Sequence, residues 1–292
     1  MSAQNKIVET ENRPENIALL KAQAAVYKET EKLSNIDFLL SVGTTALLLV
    51  LKIIFLQFEV WGKVTTIVAA VITVCSFGLS YIIANRKDLA ARMQMLFDCN
   101  VLEIKWKDAV FGRKPKQEEI NRYKVIKTRK DESTFNSWYN KRVDGKPMDV
   151  ARTLAYQENI SYDVNLRKAF VALTGILCLV LLVTIVYLIS IGNSFWLPLI
   201  PLFAWLLKVS IANVWSLLKF KAVIDDFNEI LDLLVNHKYV GVNRFNSLFH
   251  SMHEHRRRTY KIPDRVFKIL NKLLHVKADY DQLLILEKIG KI

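Results

Sequence analysis

Four long apolar blocks, at residues 38–58, 64–84, 169–191 and 195–218, decide what this 292-residue chain can become. Each is 21 to 24 residues long, and at 1.5 Å per helical residue each crosses a hydrocarbon layer roughly 30 Å thick. Their polar interruptions are mostly Ser, Thr and Gly, which helices in lipid accommodate by bonding hydroxyls back to the backbone and by packing closely. Hiding two such hairpins in a water-soluble core would take a far larger chain. The 52% hydrophobic content excludes disorder, and nine Gly and three Cys exclude collagen and disulfide scaffolds.

The connectors within each pair, residues 59–63 and 192–194, are short enough to force antiparallel hairpins. The polar segments 1–37, 85–168 and 219–292 then share one side of the membrane, with net charges of −1, +7 and +5. Arg86, Lys87, Arg92, Arg167, Lys168, Lys219 and Lys221 flank the span ends, so the positive-inside rule places that side, and both termini, in the cytosol. The expected organisation is an N-terminal cytosolic helix (1–37), hairpin one (38–84), a cytosolic helical segment (85–168), hairpin two (169–218) and a cytosolic C-terminal helical segment (219–292). No cleavable signal peptide is expected, because the first span reads as a signal anchor. Cys75 and Cys178 fall in spans and Cys99 in a cytosolic segment, so no disulfide is expected.

Periodicity outside the spans is helical throughout, and the fold class is an all-α integral membrane protein whose loop and tails form a cytosolic helical domain. Pro14 opens a helix to about Leu33. The second span continues as a stalk from Asn85 to about Val110, ended by Phe111-Gly112. Further helices are expected from Pro115 to about Arg129, from Asp149 into the third span, from the fourth span to a break at Gly241, then over 243–258, 263–275 and 279–286.

Chemistry is sparse: phosphate loop, nucleophile elbow and paired-cysteine patterns are all missing, and neither catalysis nor a cofactor is expected. Of His250, His253, His255 and Glu254, only His250 and His253 share a helix face, so a solvated face is the favoured reading over a metal site. More informative is the mixture of basic and aromatic residues outside the spans, including Arg122, Tyr123, Trp138, Tyr139, Arg142, Arg256 and Arg257. Guanidinium groups grip phosphates and aromatic faces stack on bases, so the mixture suits an anionic, base-bearing ligand. Composition alone favours the blander attraction to anionic membrane lipids, worth about 1 kcal/mol per residue near the surface. A nucleic-acid polymer is not expected, because these charges already have a topological explanation. Lys52, near the outer end of its span, can snorkel, whereas Lys208 either faces a bundle interior or hydrated path or, with the fourth span starting at Phe195 and kinked at Pro198 and Pro201, snorkels inward.

Short motifs in a fixed order carry a family resemblance. Asn16-Ile17-Ala18-Leu19-Leu20-Lys21-Ala22-Gln23, Tyr27-Lys28-Glu29, Trp138-Tyr139 ahead of Pro147, Ala155-Tyr156-Gln157-Glu158-Asn159 with Asp163, Leu166 and Arg167, and a tail with Arg256 and Ile262-Pro263-Asp264-Arg265 together resemble the SMODS-associating four-transmembrane effector domain. Ser137 departs from that pattern, which has Asn before Trp-Tyr. The resemblance implies an inner-membrane effector of bacterial anti-phage defence, triggered by a cyclic-nucleotide second messenger to damage the membrane. Trp138, Tyr139, Arg142, Arg256 and Arg257 are the expected ligand contacts, while Gln157, Asn159, Asp163 and Arg167 are expected to form a structural network. Four mostly apolar spans cannot line a wide pore alone, so a homo-oligomer is expected. A membrane scaffold recruiting a cytosolic partner is the alternative; a transporter is weaker, for no span is broken at matching midpoints.

Overall fold

The computed structural model describes residues 5–54, 59–126, 135–258 and 280–289. Among these there is no strand, and four helices are long and apolar enough to cross a membrane. In order the helices are α1 (Ile7–Glu11), α2 (Pro14–Phe38), α3 (Thr44–Ile54), α4 (Glu59–Val101), α5 (Asp108–Phe111), α6 (Gln117–Lys124), α7 (Met148–Ser190), α8 (Ile200–Val235) and α9 (Val242–Arg258), with α10 over 280–289. The helix expected at 263–275 lies outside the described residues.

No Pro or Gly falls between Glu15 and Val42, so the polar N-terminal helix and the first span are continuous from Pro14 to Ile54 instead of stopping near Leu33. The two halves join through a wide π turn at Leu39–Gly43. The stalk ends at Val101, nine residues before the expected Val110, because Glu103 takes a left-handed conformation (φ 54°) and the Ile104 N–H reaches back to the Cys99 carbonyl at 2.9 Å. The same Schellman closure ends α7, where Gly192 is left-handed and the Asn193 N–H bonds the Leu188 carbonyl at 2.9 Å. It ends α8 as well, through His237 and a 2.8 Å bond from the Lys238 N–H to the Leu233 carbonyl, ahead of the break expected at Gly241. α6 begins where the Lys116 N–H donates to the Glu119 carboxylate at 2.8 Å. Pro198 sits in a single 3-10 stretch, Ser194–Leu199, and Pro201 in the first turn of α8, where a missing N–H costs nothing.

On the polar side, α2 packs on α4 and α6, and α9 on α4 and α8. One core gathers Ala22, Ala25 and Val26 of α2, Ala90, Met93 and Phe97 of α4, Leu154 and Tyr156 of α7, and Phe220, Ile230 and Phe249 of their neighbours, all at most 1% exposed. The spans behave oppositely. Only 11% to 28% of each apolar stretch is buried, leaving Val71, Val74, Leu179 and Val183 facing outward, as a multi-pass membrane protein requires. Asn5 pins the N-terminus to the 135–147 loop by donating to the Val143 carbonyl at 2.8 Å. In that loop Ser137 is left-handed (φ 53°), a conformation Asn tolerates better than Ser, which accounts for the Asn of the resembled pattern.

Candidate functional site

Three carboxylates, Asp98, Asp163 and Asp37, and one lysine, Lys208, organise the charges. Asp98 on α4 accepts from the Tyr139 hydroxyl at 2.6 Å and the Tyr156 hydroxyl at 3.2 Å, and it pairs with the Arg256 guanidinium of α9. Burial first, and then the Asp98 charge, push both tyrosines well above the usual phenol range. Burial opposes the charge on Arg256, but Asp98 and the two phenols overrule it and raise its pKa.

The second carboxylate, Asp163 on α7, receives Arg167 Nε at 2.8 Å and Nη2 at 3.1 Å, and bonds His255 of α9. Burial alone would raise its pKa; Arg167 and His255 hold it well below the carboxylate range. Arg167 also donates to Asn213 of α8 at 3.2 Å. This cluster therefore ties α7, α8 and α9 beneath the spans.

Within the spans, Lys208 Nζ donates to Asp37 Oδ2 at 2.7 Å and to the Ser76 hydroxyl at 2.6 Å. It thereby joins α8, α2 and α4. The Asp37 side chain is 2% exposed and the Lys208 side chain 14%, so the lysine is directed into the bundle and not outward along the lipid.

Asp37 and Lys208 also form one end of a cavity of about 730 Å³. One face of α4 lines it through Ser80, Ile83, Ala84, Lys87, Asp88 and Arg92, whose spacing of three or four covers about 18 Å of helix. At the opposite end stand Arg113 and Arg257. Gly112, left-handed at φ 73°, turns the chain after α5 so that Arg113 reaches this rim. Asp88 holds Arg92 Nε at 3.0 Å and Arg257 Nε at 3.1 Å, while Arg92 Nη1 donates to the Arg113 carbonyl at 2.9 Å. Lys87, Arg92, Arg113 and Arg257 thus stand around Asp88, and Arg257 Nη1 also pairs with Glu254 at 3.0 Å. A cavity of this size falls within the range of small-molecule sites, and the guanidinium groups at its rim suit an anion.

The residues expected to contact a ligand lie in different places. Tyr139 and Arg256 meet in the interior at Asp98. Trp138 packs edge-on against Phe97 with ring centroids 6.2 Å apart. Arg142 donates to Gln282 of α10 at 3.4 Å. Arg257 alone of the five lines the cavity. Its partner Asp88 and the Phe97 beneath Trp138 are nine positions apart on α4, which is half a turn out of phase and about 13 Å along the helix, so Trp138 and Arg257 flank opposite faces. Among the network residues, Asn159 bonds its own helix at the Ala155 carbonyl (3.0 Å), and the Gln157 Oε1 is buried without a hydrogen bond among the described residues. Asp37, Asp88, Asp98 and Arg113 were not singled out by sequence, and Arg92 only as a charge flanking a span. The available signals were a carboxylate inside an apolar stripe, for Asp98, and one abutting an apolar block, for Asp37. Among the described residues no cluster of metal-ligating side chains occurs.

The chain's residues 5–280 match the model of the SMODS-associating 4TM effector domain. It is also 23% identical, over 174 residues, to a protein of Bacillus cereus (strain VD146) named probable CBASS effector molecule. That match covers 56% of this chain and 56% of the relative, so the chain spans little more than half the length of that protein. No solved structure matches.

Proposed function

Because the chain belongs to the SMODS-associating 4TM effector domain family, we propose that it is the membrane effector of a bacterial anti-phage system, switched by a cyclic-nucleotide messenger. The carrying observation is the cavity, whose basic rim suits phosphate and whose far end is an ion pair linking three spans. A ligand switches a bundle only by binding one arrangement more tightly than another. A site built partly from the contacts that hold α2, α4 and α8 together meets that condition. In this reading the polar helices and both termini are cytosolic, the spans cross the inner membrane, and several copies assemble to make it leak.

The test is dye release from liposomes carrying the full chain, challenged with a panel of cyclic di- and trinucleotides. Release that one of them triggers, accompanied by crosslinked oligomers, is the expected result. If no cyclic nucleotide causes release and only monomers crosslink, the reading is wrong and a constitutive scaffold becomes the better account.

A further inference from the structure

We propose that the cavity between α4, α8, the Arg113 turn and the end of α9 holds, at its Arg113 end, a seat for a phosphate anion gripped by Arg257, Arg113 and Arg92. Its identification as the messenger's seat rests on the function proposed above; the seat itself rests on the geometry. Asp88 is the one carboxylate lining the rim where Arg92, Arg113 and Arg257 stand, and it is already shared by two guanidinium groups, at 3.0 and 3.1 Å, with Arg257 also held by Glu254 at 3.0 Å. Arg113 makes no ion pair among the described residues. Each guanidinium has five N–H donors. Among the described residues Arg92 and Arg257 use only Nε and Nη1, leaving donors for a phosphate. Planar guanidinium forks match phosphate oxygens two at a time.

At the deep end Lys208 is shared between Asp37 and Ser76. That end lies about 18 Å along α4 from Asp88, out of reach of a phosphate held at the rim, so the seat is confined to the three arginines. Drawn together by an anion, Arg257 and Arg113 would tighten the polar helices around it. The lining residues Ile83, Lys208 and Ala212 are each preceded in their helices by an outward-facing apolar residue, Ile82, Leu207 and Ile211, so a lipid headgroup and a soluble phosphate ester both carry the required chemistry.

The test uses the full chain in phosphatidylcholine nanodiscs with radiolabelled inorganic pyrophosphate as the probe. Saturable binding is expected, weakened at least about tenfold in Arg113→Gln and in Arg257→Gln, since a charged hydrogen bond to phosphate contributes that much. It is expected to be unchanged in Arg244→Gln, a substitution near the start of α9 where the arginine pairs with Glu229 instead. Binding that is absent, or equal in all three variants, overturns the seat. Repeating the measurement with a third of the lipid as phosphatidylglycerol separates the sources. Retained pyrophosphate binding identifies a soluble phosphate, and suppressed binding identifies a headgroup. Arg113-dependent binding in a protein whose membranes leak to no cyclic nucleotide would overturn the messenger reading and leave the seat standing.

Discussion

Lys208 on α8 donates to Asp37 on α2 at 2.7 Å although 171 residues separate them. Removing one partner strands the other charge among the spans, which costs about 3–5 kcal/mol for a buried pair. Lys208→Met is therefore expected to lower the thermal unfolding midpoint in detergent, and Asp37→Asn/Lys208→Met to recover most of the loss. Strictly additive losses in the double variant would show that the two side chains do not interact.

Arg256 and Arg257 are neighbours with different duties. Arg256→Ala leaves Asp98, 1% exposed at its side chain, with two phenols but no cation, and should destabilise the protein by about 3 kcal/mol or more. Arg257 is 39% exposed at its side chain, so Arg257→Ala should change stability by under about 1 kcal/mol. Chemical unfolding of both variants checks the contrast, and equal losses would contradict it.

His253 is fully buried, with both ring nitrogens lacking hydrogen bonds among the described residues and its ring edge-on to Phe111 at 5.6 Å. Burial, then the Arg256 charge, lower its pKa from 6.5 to about 4. Between these values the unfolded chain binds a proton that the folded chain does not, so stability rises with pH through this window and is complete above it. The contribution is up to about 3 kcal/mol. His253→Phe should flatten the dependence of the unfolding free energy over that range; an unchanged slope would assign it to other groups.

Ser137 pays for a left-handed backbone in the loop tied to α1, where its N–H donates to the Asn12 side chain at 3.1 Å. Ser137→Asn should raise stability by a few tenths to about 1 kcal/mol. A decrease on thermal unfolding would show that the loop changes conformation with the side chain.

The orientation proposed for the hairpins is open to cysteine labelling. A cysteine at Ser194, beside the 192–194 turn, should react with an impermeant maleimide applied to intact cells. One at exposed Lys105 should react only after lysis. The reverse pattern would invert the topology.

The spans were legible because lipid imposes a compositional rule on every residue of a crossing helix, whatever its partners. The polar clusters follow no local rule. Asp98 looks like one acid on a stalk until α9 and the 135–147 loop deliver Arg256, Tyr139 and, from α7, Tyr156. An aromatic and basic mixture describes both a ligand pocket and a satisfied interior carboxylate, so Tyr139 and Arg256 read alike in either role until their partner is known. Helix ends were misjudged for a related reason: Glu103 and His237 adopt a conformation usually left to Gly, and nothing in their identity announces it. The cavity was invisible because Arg92, Arg113 and Arg257 come from three separate stretches.

The π turn at Leu39–Gly43 begins two residues beyond Asp37. Such a turn holds one residue more than α geometry needs. It works as a screw joint: expelling the surplus residue would rotate α3 by about 100° and slide it about 1.5 Å, with Asp37 still anchored to Lys208. The part of the first span beyond Gly43 could thus take a discrete torsional step of its own, turning a different stripe outward while the Asp37 end of the helix stays in place.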